Sequence, residues 1–131
     1  MKIKHVDHVG ITVNDMQAVK GFFLELGFTN MGETTVEGEW VGRIIGLKDV
    51  KSDIVMLSAP DGQVNIELSR FHHPKAVGDT KYVAVNTLGL RHISFIVEDL
   101  DGILDSLKSK GTKLVGDVHN YEDVWKVCYI H

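Results

Sequence analysis

Residues 6–15 read Val6-Asp7-His8-Val9-Gly10-Ile11-Thr12-Val13-Asn14-Asp15, and their pattern returns in residues 90–99 as Leu90-Arg91-His92-Ile93-Ser94-Phe95-Ile96-Val97-Glu98-Asp99. The offset is 84 residues, the separation of His8 and His92, and it also places Asp15 on Asp99 and Gly27 on Gly111. Apolar positions follow the same offset. A repeat of this length predicts a chain made of two similar modules.

Each copy begins with an alternating segment and continues with a helical one. Val9, Ile11 and Val13 alternate with His8, Gly10 and Thr12, which predicts a strand with one buried face and with His8 on the other face. Asn14 or Asp15 can cap a helix whose apolar residues recur at helical spacing, and Gly27 is suited to end it. The second copy predicts a strand over residues 90–98 and a helix over residues 99–110.

The remainder of the first copy predicts further strands, over residues 28–38, 40–47, 53–59 and 63–70. The last two flank Pro60-Asp61-Gly62, an order typical of a turn, and therefore form a hairpin. In the strand over residues 63–70, apolar side chains alternate with a polar row. Glu67 stands in the middle of that row and should face away from the core.

These elements define two modules and a connection. Module one spans residues 1–70, the connection spans residues 71–89, and module two spans residues 90–131 with strands near 113–118 and 124–130. We predict an α+β fold in which two tandem βαβββ modules pair into one curved mixed β-sheet cleft with the helices outside, as a single domain. The repeat places the counterpart of the Glu67 strand after His131, so the last strand of module two is expected to be absent from this sequence.

Composition limits the partners. The net charge is −4 and lysines and arginines do not cluster, which excludes the electrostatic footprint of nucleic-acid binding or of an anionic membrane surface. The longest apolar runs are too short to span a bilayer. A small-molecule substrate is therefore expected. A single cysteine, Cys128, and an amino-terminal segment without an apolar run predict a cytoplasmic protein.

Three side chains suit a metal site. His8 and His92 lie at matching points of the repeat, and Glu67 lies on the polar face of its strand, so all three can line the predicted cleft. Two imidazoles and one carboxylate with open positions suit Zn, Ni, Co, Mn or Fe as a divalent ion. A lone histidine in a strand is more often structural than a ligand, and duplication alone could preserve both.

Three stretches resemble the vicinal oxygen chelate superfamily: Asp7-His8-Val9-Gly10-Ile11-Thr12-Val13, Asn65-Ile66-Glu67-Leu68 and Leu90-Arg91-His92-Ile93-Ser94-Phe95. This superfamily includes glyoxalase I, methylmalonyl-CoA epimerase, extradiol dioxygenases and bleomycin-resistance proteins. The resemblance covers essentially the whole chain. It implies that His8, Glu67 and His92 match three metal-ligand positions, and that a fourth ligand, usually a Glu, belongs to the strand expected after His131.

The resemblance also implies a function. It favours a metal-dependent lyase or isomerase of the lactoylglutathione lyase or methylmalonyl-CoA epimerase type, in which bidentate metal chelation stabilises an enediolate-like intermediate. Either Glu67 or the carboxylate of the strand expected after His131 then moves a proton. One alternative is an Fe(II) extradiol-type dioxygenase. Another is a metal-free small-molecule binding protein that uses aromatic side chains such as Trp40 and Trp125. Exposed sheet edges favour a homodimer.

Overall fold

The computed structural model describes residues 2–79, 81 and 83–131, and it contains two compact units, Met1–Gly78 and Asp79–His131. The connection expected over residues 71–89 includes Thr80 and Tyr82, which lie outside the described residues. Across the described ranges, no helix is both long enough and apolar enough to cross a membrane.

The first unit contains one four-stranded mixed sheet. Its strands are β1 (His8–Thr12), β2 (Thr29–Glu37), β3 (Lys51–Ser58) and β4 (Asn65–His73), in the spatial order β1-β4-β3-β2. β1 runs parallel to β4, and the other pairs are antiparallel. Helix α1 (Met16–Glu25) connects β1 to β2. The predicted α+β class with a mixed sheet is confirmed.

The capping residues of α1 are those that the sequence indicated. The Asp15 carboxylate accepts a hydrogen bond from the Ala18 amide at 3.0 Å, which satisfies one of the free N–H groups at the start of the helix. After the helix, Gly27 has a φ of 90°, a conformation that glycine adopts without steric cost. The helix packs on the sheet through Met16 and Phe23, which are buried against the strand residues Ile66 and Leu68.

The turn between β3 and β4 also follows the prediction. The Asp61 carboxylate accepts from the Gln63 amide at 3.0 Å, and the Gly62 amide donates to the Ala59 carbonyl at 2.8 Å. Gly62 has a φ of 70°. An Asp side chain that bonds to the backbone two residues later, followed by a glycine with positive φ, is the chemistry of a tight turn.

The strand predicted over residues 40–47 is wrong, because this segment forms helix α2 (Glu39–Ile45). Gly38 and Gly46 flank the helix, and Gly46 has a φ of 74° in the left-handed region that commonly ends helices. Glu39 and Arg43 pair one turn apart at 2.6 Å. The Val and Ile content suggested a strand, but capping glycines and an ion pair at helical spacing favour a helix.

The second unit has less regular structure than the repeat predicts. It contains helix α3 (Leu100–Ser109) and a two-stranded hairpin of β5 (His119–Tyr121) and β6 (Trp125–Val127). The start of α3 reproduces that of α1, since Asp99 accepts from the Gly102 amide at 2.9 Å. Beyond the hairpin, residues 113–118 contribute one isolated bridge, between Leu114 and Ile130.

The strand predicted over residues 90–98 is also wrong, because these residues form no hydrogen-bonded strand. A strand needs a neighbour to accept and donate its backbone hydrogen bonds. In the first unit, β4 is the neighbour of β1, which lies at the edge of the sheet. Within the described residues of the second unit, no strand pairs with residues 90–98.

Candidate metal-binding site

β1 places His8 on the face of the sheet that α1 does not cover. Along this strand exposure alternates: Val9 and Ile11 are half-buried against the core, while His8, Gly10 and Thr12 are exposed. Because successive side chains of a strand point to opposite faces, the apolar residues that pack under α1 direct His8 away from the helix. The predicted orientation of His8 is therefore observed.

β4 places Glu67 on the same face. Its neighbours Ile66 and Leu68 are almost completely buried under α1, so Glu67 between them points the other way. The parallel register pairs Asn65 with His8 and Glu67 with Gly10, which makes His8 and Glu67 diagonal neighbours. Their side chains approach to 3.9 Å, measured between His8 Nε2 and Glu67 Oε2.

The separation of this pair is compatible with two ligands of one ion. Nitrogen and oxygen ligands lie about 2.0–2.2 Å from Zn²⁺, so two ligands of the same ion are at most about 4.4 Å apart. The separation of 3.9 Å lies within that limit. Both side chains are partly exposed, 39% for His8 and 29% for Glu67, so an ion and a substrate can reach them.

Gly10 leaves room beside the pair. A Cβ atom built on Gly10 would have no heavy atom within 4 Å, and the strand register places this residue opposite Glu67. Any larger side chain here would project from the same face as His8. The open space at Gly10 and the imidazole and carboxylate donors together fit a divalent ion.

Asp7 contacts His8 on the side away from Glu67. Asp7 Oδ2 lies 2.7 Å from His8 Nδ1. This hydrogen bond is the main cause of a raised His8 pKa, above its usual value of 6.5, and the negative charge of Glu67 acts in the same direction. Partial burial opposes both effects. Asp7 is not among the predicted site residues, although the adjacent Asp-His pair is visible in the sequence.

The third predicted ligand, His92, lies in the second unit. Its ring packs edge-on against Tyr129, with ring centroids 5.4 Å apart and an interplanar angle of 82°. Neither unit, taken over its described residues, gathers three or more His, Cys, Asp or Glu side chains into a metal-binding group. The first unit therefore supplies a pair of candidate ligands, His8 and Glu67.

A second polar cluster lies around Asp53. Thr35 donates to Asp53 Oδ1 at 2.9 Å, Arg70 donates to Oδ2 at 3.1 Å, and His72 Nε2 lies 2.8 Å from Oδ2. The hydrogen bonds from Thr35 and then His72 lower the pKa of Asp53 below its usual value of 3.8. Alternation along β4 places Arg70 on the face opposite Glu67, so this cluster stabilises the sheet away from the candidate site.

Known proteins resemble this chain in sequence and in fold. The family model described as the glyoxalase/bleomycin resistance protein/dioxygenase superfamily matches residues 7–129. The uncharacterized protein YaeR of Escherichia coli strain K12 is 30% identical over 114 residues, which cover 85% of this chain and 74% of YaeR. YaeR therefore resembles the chain over most of both sequences.

Two solved structures are also similar. A glyoxalase family protein from Bacillus cereus has a TM-score of 0.94 and 40% identity, and the match covers 99% of this chain and 87% of that protein. SMU.1112c has a TM-score of 0.58 at 22% identity over 98% of this chain and 91% of its own, which is a likeness of fold alone. The chain belongs to the glyoxalase/bleomycin resistance protein/dioxygenase superfamily.

Proposed function

We propose that this chain is a metal-dependent enzyme of the glyoxalase type, a lyase or isomerase that acts on a small molecule with neighbouring oxygen atoms. The observation that carries the proposal is the 3.9 Å approach of His8 Nε2 to Glu67 Oε2. An imidazole and a carboxylate at this separation provide two ligands of a divalent ion. His92 is proposed as a third ligand, because it occupies the repeat position equivalent to His8.

The proposed reaction would use a divalent ion as a Lewis acid and Glu67 for proton transfer. When bound, Zn, Ni, Co, Mn or Fe as a divalent ion supplies a Lewis acid for the negative charge that forms on substrate oxygens. Glu67 has two carboxylate oxygens, so it can hold the ion through one and accept a proton at the other. Glu67 would take that proton from a carbon beside a carbonyl group and return it to the product.

Neighbouring side chains support a small polar substrate. Asn65, which is half-buried, and Ser69, which is buried, alternate with Ile66 and Leu68 and therefore share the face of Glu67. Met56 is the cross-strand partner of Glu67 on β3, and it adds an apolar contact on that face. A polar row bordered by a methionine suits a compact substrate that has both oxygen atoms and a short carbon skeleton.

The test of this function is proton exchange in D₂O, followed by proton NMR. The metal-loaded protein is given two substrate types, a glutathione hemithioacetal of a 2-oxoaldehyde and a branched acyl-CoA with an acidic α-proton. We expect exchange or conversion of one of them, and we expect its loss in Glu67→Gln. Failure of the metal-loaded protein on both would contradict the proposal.

Further assays of this protein distinguish the two alternative functions, an extradiol-type dioxygenase and a metal-free binding protein. Two histidines and one carboxylate are also the ligand set of non-haem Fe(II) oxygenases. Oxygen consumption with a catechol in the Fe(II)-loaded protein would therefore indicate an extradiol-type dioxygenase. Exposed Trp40 and Trp125 favour the third candidate, a metal-free binding protein. Tight binding of an aromatic ligand by protein that takes up no metal would indicate that function.

We also propose that the chain forms a homodimer. Helix α2 carries exposed apolar side chains, among them Trp40 and Ile44, which are 59% and 73% exposed. α2 contacts β2, an edge strand of the first unit. Exposed apolar residues beside an open edge favour association. Light scattering should give twice the mass of the chain, and a constant monomeric mass across concentrations would contradict the dimer.

A further inference from the structure

The two repeat histidines are preceded by side chains of opposite charge. Asp7 precedes His8, and Arg91 precedes His92 at the same offset of the repeat. A carboxylate only accepts hydrogen bonds, whereas a guanidinium only donates them. The two histidines therefore cannot be oriented in the same way by the residue before them.

The Asp7 contact fixes which nitrogen of His8 carries the proton. Asp7 Oδ2 lies 2.7 Å from His8 Nδ1, so in the neutral ring Nδ1 is the donor and Nε2 holds the free lone pair. Nε2 is also the atom that faces Glu67, at 3.9 Å. Metal ligation requires a neutral imidazole with its lone pair directed at the ion. The hydrogen bond with Asp7 prepares His8 in this form.

A backbone hydrogen bond holds Asp7 beside His8. Asp7 precedes β1, yet its carbonyl oxygen accepts a hydrogen bond from the Asn65 amide at 3.3 Å. This bond extends the β1–β4 ladder by one contact, on the strand that carries Glu67. The backbone of Asp7 is therefore tied to the same strand as the proposed carboxylate ligand, while its side chain reaches His8.

His92 has a different environment. Its ring packs edge-on against Tyr129, with centroids 5.4 Å apart. Residues 90–98 form no hydrogen-bonded strand that would hold the ring as β1 holds His8. Aromatic packing restrains a ring but does not select which ring nitrogen carries the proton.

We infer that Asp7 is a positioning residue that holds His8 in the Nδ1–H form and presents Nε2 to the metal, and that Arg91 has no such role for His92. The inference rests on the proposed metal site. Carboxylate partners of metal-binding histidines raise metal affinity by about 10- to 100-fold. The Asp7 side chain is 73% exposed, so its contact with His8 should contribute little to folding.

The first measurement uses the metal-free protein. Nitrogen-15 NMR of the His8 ring at a pH where the ring is neutral should give the Nδ1–H tautomer in the wild type. In Asp7→Ala we expect a shift towards Nε2–H, the form that a histidine side chain prefers in water. An unchanged tautomer in Asp7→Ala would overturn the inference without involving any metal.

The second measurement is the affinity for Co²⁺ and Zn²⁺, determined by competition with a chromophoric chelator. We expect Asp7→Ala to lower affinity by about 10- to 100-fold and Asp7→Asn, which keeps an acceptor oxygen, to lower it less. Arg91→Ala should not lower it. Glu39→Gln is the charge-matched control, because Glu39 is exposed on α2, which contacts the opposite edge of the sheet from β1.

The outcomes separate the two proposals. Loss of affinity in His8→Ala with no loss in Asp7→Ala would overturn the role of Asp7 and leave the metal site standing. A wild type that binds neither ion would overturn both the metal site and the role of Asp7 in it. Melting temperatures of Asp7→Ala and Glu39→Gln should agree within about 2 °C, which excludes unfolding as the cause.

Discussion

His8 Nε2 lies 3.9 Å from Glu67 Oε2, although the two residues come from opposite ends of the first unit's fold, on its first and its last strand. The parallel pairing of β1 with β4 produces this contact, because it sets Glu67 opposite Gly10 and one diagonal step from His8. The helix that links β1 to the rest of the sheet covers the other face. The topology of the first unit thus brings the two candidate ligands together on the face of the sheet that α1 does not cover.

Gly10 should control whether the site can be occupied. Gly10→Val is expected to fold with a free energy of unfolding within about 1 kcal/mol of the wild type, because β-branched residues suit strands and the added atoms enter open space. The same side chain would project beside His8 and should abolish metal binding. Gly10→Ala is the smaller control. Calorimetry and a Co²⁺ titration would check this, and unchanged Co²⁺ binding in Gly10→Val would contradict the placement of the site.

Asp53 should stabilise the first unit in a pH-dependent way. Asp53→Asn is expected to lower the free energy of unfolding by about 1 kcal/mol at pH 7, since it weakens hydrogen bonds to Arg70 and His72 in a partly exposed cluster. The Asp53 pKa is lowered in the folded state, mainly by the hydrogen bond from Thr35. The stability that ionised Asp53 contributes is therefore complete above the pKa of Asp53 in the unfolded chain, near 3.8. It is lost as the pH falls through the lower pKa that Asp53 has in the folded protein.

Urea unfolding of the wild type and Asp53→Asn at pH 7, 5, 4 and 3 measures this contribution. The stability difference between the two proteins should shrink as pH falls from 5 to 3. A difference that grows between pH 5 and pH 3 would show that Asp53 is not stabilised as a carboxylate.

Two helical glycines should respond oppositely to alanine. A Cβ on Gly21 in α1 meets nothing within 4 Å, so Gly21→Ala should stabilise the protein by about 0.5–1 kcal/mol through helix propensity. A Cβ on Gly42 in α2 would clash with the Leu47 carbonyl oxygen at 2.5 Å. Gly42→Ala should destabilise by about 1–3 kcal/mol. Equal effects in thermal unfolding would contradict the packing of α2.

Cys128 should react slowly with thiol reagents. Partial burial raises the pKa of its thiol above the usual value of 9.0, and the nearby positive charge of Lys108 only partly offsets this. Because the thiolate is the reactive form, alkylation by iodoacetamide at pH 8 should be several times slower than that of free cysteine. The rate should still be rising at pH 9. A rate that levels off below pH 8 would contradict the raised pKa.

The repeat of residues 6–15 in residues 90–99 predicted local structure best where short-range chemistry decides it. Asp15 and Asp99 both cap helices, and the turn at Pro60-Asp61-Gly62 forms as expected. The faces of His8 and Glu67 followed from strict alternation beside buried neighbours. These features depend on residues within a few positions of one another, so the sequence pattern contains the information needed.

The remaining features depend on contacts that the pattern does not encode. Residues 40–47 have the Val and Ile content of a strand, yet they lie largely in a helix flanked by Gly38 and Gly46. Residues 90–98 have the pattern of β1, but no strand of the described residues pairs with them. The contact between Asp7 and His8 could not be predicted from the sequence, because neighbouring residues within a strand point to opposite faces. Asp7 escapes this rule because it lies just before β1 begins.

Whether His8 and Glu67 bind a divalent ion is tested by the metal content of protein purified without a histidine tag and without added metal. The wild type is compared with His8→Ala, Glu67→Gln and the exposed control Glu39→Gln by elemental analysis. We expect near-stoichiometric divalent metal in the wild type and in Glu39→Gln, and loss of most of it in both site variants. Equal metal content in all four proteins, whether near-stoichiometric or negligible, would contradict metal binding by His8 and Glu67.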